Sequence, residues 1–151
     1  MKIKAKNNEI MGKKKYKNPP INESINENSV SIRKISKISQ LEAIYSFHNS
    51  DEIKRFLSSH DFIIEYLFEA HDQIRRFFGE HIIEILLEYD KDPNENFEGL
   101  FVTIKTNLSP AESIDLLEKF DEEWWLGIDF KIRSKITIMV RALKTLNPNS
   151  N

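Results

Sequence analysis

The sequence predicts an α+β domain in which helices pack on one face of a small three-stranded mixed sheet, after a disordered N-terminal tail. Two patterns carry this prediction. Apolar residues recur every three or four positions over residues 61–78, as in an amphipathic helix. Over residues 81–89 and 98–106 they follow the two-residue period of a strand. The predicted element order is α-α-β-β-α-β.

The chain divides into three predicted parts. Residues 1–37 are expected to form the disordered basic and polar tail, residues 38–146 a single α+β domain, and residues 147–151 a short C-terminal tail. Few large apolar side chains occur before residue 38. Ordering such a segment costs about 1–2 kcal/mol per residue, with little apolar burial to offset it.

Two short signals mark the first helices. Helical character begins near Ser39, and residues 49–50 indicate a break. Ser50 can cap a short helix that has Asp51 and Glu52 in its first turn, where the helix dipole favours acids. The longer helix over about residues 61–78 then follows.

A capping box predicts the third helix. Gly79 is expected to end the helix before it. Ser109 is the N-cap residue, Pro110 takes the first helical position, and Glu112 completes the box. This helix should run to about Trp125. Its expected buried residues are Ala111, Ile114, Leu117, Phe120 and Trp124.

Three strands make up the predicted sheet. Residues 81–89 and 98–106 should form an antiparallel hairpin with a long loop at 90–96. A last strand at about 134–143 should run parallel to the second, because a β-α-β connection crosses over right-handed. We expect the first strand in the middle. The uncovered face would then show Glu84, Glu88, Phe101, Thr103, Lys105, Thr137, Met139 and Arg141.

Residues 1–17 hold seven lysines and one glutamate, hence a charge of +6. Since the whole chain carries −2, residues 18–151 carry −8. A basic arm on an acidic body is typical of nucleic-acid binding, which makes Lys13, Lys14, Lys15 and Lys17 candidates. The competing interpretation is a solvated tail, because Asn, Ile and Lys make up a third of the chain, as an AT-rich genome would produce.

The sequence contains no motif for a cofactor, a metal or a catalytic residue. It has no cysteine, its four histidines are spaced ten or more apart, and its four glycines form no phosphate loop. Glu84 and Glu88 would lie roughly 13 Å apart on one strand, too far for a retaining-glycosidase pair. A protein without enzymatic activity is therefore favoured. A small hydrolase-type enzyme that uses sheet-face carboxylates stays as an alternative.

One tryptophan and one aspartate near the end of the third helix indicate a protein partner. Trp125 is turned about 100° from the core side of its helix, so it either tucks under the following loop or stays partly exposed, as tryptophans that anchor interfaces do. Asp121 lies at the helix end where the dipole disfavours acids. The candidate partner-binding residues are Trp125, Phe101, Glu84, Glu88 and Asp121.

Six short segments carry a resemblance to a known family, at 67–70, 74–79, 87–93, 100–104, 108–112 and 120–125. With these segments, about residues 62–125 resemble a family of small uncharacterised prokaryotic proteins. Families of this kind look like the products of small accessory genes found beside toxin–antitoxin or HEPN-type partners. The resemblance implies an interaction protein and identifies no catalytic residue. The N-terminal extension departs from the family's compact form.

Three functions remain in competition. An antitoxin-like interaction module would bind a protein partner, expected to be basic, or a second copy, since a three-stranded sheet leaves at least one edge exposed. Lys135 and Arg141 are candidate edge charges, and the sequence does not choose between the two kinds of partner. The other two are nucleic-acid binding through the lysine arm and the hydrolase. No stretch reaches the roughly 18 apolar residues of a membrane span, so we expect a cytoplasmic protein without a membrane partner.

Overall fold

The computed structural model describes the backbone of residues 21–143 and the side chains of residues 28–143. Within that range five α-helices accompany one four-stranded mixed sheet. The helices are α1 (Ile21–Ile44), α2 (Ser50–Ser59), α3 (Ile64–Phe78), α4 (Pro110–Glu123) and α5 (Phe130–Arg133). The strands are β1 (Ser46–His48), β2 (Ile82–Asp92), β3 (Phe97–Thr106) and β4 (Ile136–Ala142). Single 3₁₀ turns occupy Asp61–Ile63, Gly79–His81 and Trp125–Gly127.

The chain divides by its packing into two units, residues 1–35 and 36–151. The described part of the first unit, residues 21–35, is helical and exposes Val30, Ile32 and Ile35. A helix therefore occupies residues 21–37 of the segment predicted as a tail, and residues 1–20 lie outside the described residues. The physical reason is local, because no proline or glycine interrupts residues 21–44 and a started helix propagates at low cost.

The core of the second unit lies between the helices and one face of the sheet. Leu41 and Tyr45 are buried, and the Tyr45 hydroxyl donates a hydrogen bond to the Leu67 carbonyl at 2.7 Å. The predicted helix over 61–78 is present as a 3₁₀ turn followed by α3, and Gly79 ends it at φ 51°. The buried apolar residues from α2, α3 and the strands include Ile53, Phe56, Leu57, Leu67, Ile74, Phe78, Ile85, Leu87, Leu100, Val102, Ile104 and Ile136.

The start of α2 differs from the prediction. Asn49, at φ 60°, is the N-cap residue, and Ser50 is the first residue of the helix. The Ser50 hydroxyl donates to the Glu42 carboxylate at 2.9 Å and is therefore used outside the helix. Asp51 and Glu52 do lie in the first turn, as predicted.

The capping box of α4 is confirmed, and Phe120 is buried with Leu117 and Trp124 packed against the core, as predicted. The first turns differ, because Ala111 and Ile114, predicted to be buried, are exposed. Ser109 Oγ accepts from the Glu112 amide at 3.2 Å, and the Glu112 carboxylate accepts from the Ser109 amide at 3.2 Å. Ser113 is buried and its hydroxyl lies 2.7 Å from that of Thr106 on β3, whereas Ile114 is 50% exposed. The buried hydroxyl pair turns Ser113 toward the sheet, which moves Ile114 outward.

The sheet has four strands rather than three. The short β1 pairs in parallel with β2 at residues 86–88, and three residues are too few to show a periodic pattern. The antiparallel pairing of β2 with β3 and the parallel direction of β3 and β4 are confirmed. The prediction that residues 81–89 lie between the other two predicted strands is wrong, because β4 pairs with β3 and the second neighbour of β2 is β1.

Two local details of the hairpin also differ. The strands extend into the predicted long loop and leave a turn of four residues, 93–96, with Asn96 at φ 57°. A shift in register between Ile82 and Glu84 marks a β-bulge. Ile83, two residues before the buried Ile85, is therefore 52% exposed.

Candidate functional site

One face of the sheet lies opposite the core. The register aligns its side chains in rows across the strands: Leu86, Thr103 and Met139 form the middle row, with Ser46 at its end. None of these side chains belongs to the hydrophobic core or to the apolar side chains packed on it. We call this surface the open face. Its residues are Ser46, His48, Glu84, Leu86, Glu88, Phe101, Thr103, Lys105, Thr137, Met139 and Arg141.

The centre of the open face is apolar. Met139 is 37% exposed, Leu86 is partly exposed, and Thr103 between them is buried by its neighbours. Phe101 lies in the next row, and its ring centroid is 5.8 Å from that of Phe97. The aromatic pair thus extends the apolar centre along β3.

A charged pair borders this centre. Lys105 Nζ lies 3.0 Å from Glu84 Oε1, and both side chains keep partial contact with water. A hydrogen bond from Ser46 and then the bond from Lys105 hold the pKa of Glu84 below its ordinary value. Glu84 is therefore ionised at neutral pH and acts as an acceptor. A general acid for hydrolysis requires the opposite shift.

Glu88 is the acidic residue of the next row. It lies between His48 on β1 and Phe101 on β3. It makes no ion pair with any residue from 28 to 143. The Glu88 carboxylate is thus available to a cation from outside the described part of the chain.

The structure separates the five predicted partner-binding residues. Glu84, Glu88 and Phe101 lie together on the open face, whereas Trp125 and Asp121 lie in the helical layer. Trp125 is 8% exposed and its ring is 5.5 Å from that of Trp124, so it is tucked in and offers no contact surface. The expected helical rotation does not apply to it, because α4 ends at Glu123.

Asp121 has an unusual environment on α4. Its Oδ1 atom is buried and has no hydrogen-bond partner among the described residues. Burial, and after it the charge of Glu118, raises the pKa of Asp121 above the ordinary value. Asp121 is not a lining residue of the grooves beside the sheet and α4, so we assign it no ligand.

A shallow groove of about 600 Å³ runs beside β2. Ser46, His71, Arg75, Glu80 and Glu84 contribute its polar lining. His81 lines a separate groove of about 350 Å³ next to α4. This histidine and the sheet-face carboxylate Glu84 are therefore not brought into one pocket.

Sequence reasoning missed two apolar residues on this side of the sheet. Leu86 is absent from the predicted uncovered face, although it lies between Glu84 and Glu88 in the two-residue period. Phe97 lay before the predicted start of its strand, although it continues the two-residue period through Gly99 to Phe101. Lys13, Lys14, Lys15 and Lys17 lie outside the described residues.

No protein-family model, no curated protein and no solved structure matches the chain. The resemblance of residues 62–125 to small prokaryotic accessory proteins therefore stays a prediction. Among the described side chains, no group of three could hold a metal ion. Between residues 21 and 143, no helix combines the length and the apolar character needed to cross a bilayer.

Proposed function

We propose that this protein is a small protein-interaction or regulatory module, an antitoxin-like partner of a neighbouring gene product, and that the open face binds the partner. The observation that carries the proposal is the open face itself. It lies outside the core, and its apolar centre is bordered by charged residues.

The composition of the open face favours protein recognition. Protein interfaces combine an apolar centre with a polar rim. Leu86 and Met139 supply such a centre, and the Glu84–Lys105 pair lies at its border. Phe101 is the aromatic side chain suited to anchor a contact.

The open face also has a suitable size. Strand spacings of about 4.8 Å and a rise of about 3.3 Å per residue give the sheet a projected area of roughly 500 Å². Side chains that stand up from the sheet enlarge the accessible area. A typical interface buries about 800 Å² per partner, which is of the same order.

The charge of the protein favours a basic partner. Residues 18–151 carry −8, and Glu88 on the open face has no ion pair among the described residues. Opposite charge accelerates encounter and selects the partner's orientation. The proposal includes a cytoplasmic location, where the product of a neighbouring gene would meet this protein.

Nucleic-acid binding remains the second candidate. It is favoured by the +6 charge of residues 1–17 alone. The hydrolase is less favoured, because the lowered pKa of Glu84 opposes a role as general acid.

A capture experiment in the native host tests the proposal. The tagged wild-type chain is compared with Phe101→Glu and Glu88→Lys, which alter the open face. The matched control is Leu126→Glu, which places the same charge on an exposed apolar residue of the Trp125–Gly127 turn in the helical layer. Circular dichroism confirms that each variant is folded.

The proposal predicts one stoichiometric protein partner. Wild type and Leu126→Glu should retain it, Phe101→Glu should lose it, and Glu88→Lys should bind a basic partner more weakly. Equal retention by all variants would refute the assignment of the open face. Recovery of nucleic acid alone, lost on deletion of residues 1–17, would replace the proposal with the second candidate.

A further inference from the structure

The two edges of the sheet are protected very differently. One edge is the three-residue β1, which is too short to template a further strand. The other is β4, whose seven residues pair with β3 without a bulge and include no proline. Long, regular edges of this kind are normally covered, paired or charged. The only charged residue within β4 is Arg141.

The hydrogen bonds to β3 identify the free groups of β4. The Leu100 amide donates to the Lys135 carbonyl at 2.8 Å, and the Leu143 amide donates to the Thr106 carbonyl at 2.9 Å. Backbone N–H and C=O groups alternate in direction along a strand. The N–H and C=O groups of the odd-numbered residues of β4 therefore point toward β3. The outward backbone groups therefore belong to Ile136, Ile138, Val140 and Ala142. No other strand of the described residues lies beyond them.

Apolar side chains surround this edge. Met139 and Leu143 are exposed, and Ile138 and Val140, which face the helical layer, remain partly exposed. The exposed Ile114 lies nine residues before Glu123, hence on the opposite side of α4. Since Glu123 pairs with Arg76 of α3, Ile114 lies on the side of α4 away from α3.

We propose that this edge binds a second copy of the chain, and that the two β4 strands pair antiparallel around a two-fold axis at Met139. Ile138 then pairs with Val140 of the second copy, and Ile136 with Ala142. Each such pair exchanges two backbone hydrogen bonds, about eight in all. The two sheets join into one of eight strands, an isologous dimer.

The charges favour this register over its neighbours. With Met139 on the axis, Arg141 faces Thr137 of the second copy. A shift that puts Ile138 on the axis places Lys135 opposite Arg141, two like charges that destabilise a cross-strand pair. The opposite shift, with Val140 on the axis, sets Ile136 opposite residue 144, which lies outside the described residues. The register centred on Met139 pairs all four outward residues with one another inside β4.

This dimer uses the edge of the sheet and needs no foreign partner, so it stands or fails separately from the proposed function. Sedimentation velocity of the full chain alone, over a wide concentration range, provides the test. The expected species has twice the monomer mass of 17.8 kDa and dissociates on dilution.

A pair of variants at one position tests the register. Thr137→Lys sets lysine against Arg141 twice and should weaken the dimer by about tenfold, whereas Thr137→Glu should tighten it. Met139→Glu sets two carboxylates against each other on the axis and should weaken it by a similar factor. Ile83→Glu on β2, which β3 separates from β4, is the control and should leave the dissociation constant unchanged.

Two results would overturn the inference. One is a monomer at every concentration. The other is a dimer whose dissociation constant changes in the same direction in Thr137→Lys and Thr137→Glu. Since both changes fall on the same partly exposed position of the open face, any general loss of stability affects them alike.

Discussion

Replacing Ser113 by alanine tests the contact that sets the rotation of α4 on the sheet. The Ser113 and Thr106 hydroxyls are both buried, lie 2.7 Å apart, and are the polar pair between helix and strand. The Leu108 amide also donates to Thr106 Oγ1 at 3.2 Å. Alanine removes one hydrogen bond and leaves the Thr106 hydroxyl without its second partner. Removing one partner of a buried hydrogen bond and leaving the other unsatisfied costs about 1–3 kcal/mol, so we expect Ser113→Ala to lower the free energy of unfolding by about 2 kcal/mol.

Urea denaturation followed by circular dichroism measures this change, and a double-mutant cycle isolates the pair. Thr106→Val keeps the shape of the side chain but also removes the acceptor of the Leu108 amide, so it should cost more than Ser113→Ala. The double variant should cost clearly less than the two single changes together, because each single change already breaks the bond between the two hydroxyls. Ile114→Ala is the matched control on the same helix. It should cost under about 1 kcal/mol, against the roughly 2–5 kcal/mol of a core isoleucine. A small effect of Ser113→Ala together with a large effect of Ile114→Ala would refute the observed rotation.

Three further predictions concern other parts of the fold. Asp121→Asn should raise the free energy of unfolding at neutral pH by up to about 1 kcal/mol, because it removes a charge from a half-buried site. Burial raises the pKa of Asp121, so the stability gain of Asp121→Asn over wild type should shrink as the pH falls through that pKa. A stability gain that grows on acidification, measured by urea titration, would contradict this prediction. The hydrogen bond to Glu98 raises the pKa of Tyr89 to about 12. Glu98→Gln should lower the pKa of Tyr89 in an ultraviolet titration, and an unchanged pKa would show that the bond is absent. Gly99→Ala should lower the unfolding free energy by about 2 kcal/mol, because its Cβ would meet the Lys135 carbonyl oxygen at 2.7 Å. A thermal midpoint equal to that of wild type would exclude this close approach.

Local signals predicted much of the fold. The capping box at Ser109 and Glu112, the end of α3 at Gly79, and the hairpin of β2 and β3 each depend on residues close in sequence. Such signals are sufficient where propensity, capping and periodicity agree. The helix over residues 21–37 was not predicted, because these residues are mostly polar and show no apolar period, although they include no proline or glycine.

Features that depend on distant contacts could not be predicted in the same way. The rotation of α4 is set by a buried hydroxyl on β3, and a polar Ser113 carries no sign of burial in an apolar pattern. The strand order depends on which strand β4 pairs with, and the spacing of apolar residues along the sequence does not specify that partner.

The candidate site was predicted in part for the same reason. Alternation along a strand placed Glu84, Glu88 and Phe101 on one face, and the register brings them together. Trp125 was extrapolated along a helix that ends two residues earlier, in a 3₁₀ turn with a different rotation. Periodicity locates a residue only as far as its element extends.

Carboxyl footprinting of the complex tests the open face most directly, because it needs no variant. The protein is labelled with a carbodiimide and an amine, alone and with the captured partner, and the modified residues are located by mass spectrometry. Glu88 on the open face is the reporter, and the exposed Glu122 on α4 is the internal control. We expect the partner to suppress labelling of Glu88 and to leave Glu122 unchanged. Equal labelling of Glu88 in the free protein and in the complex would contradict the proposal that the open face binds the partner.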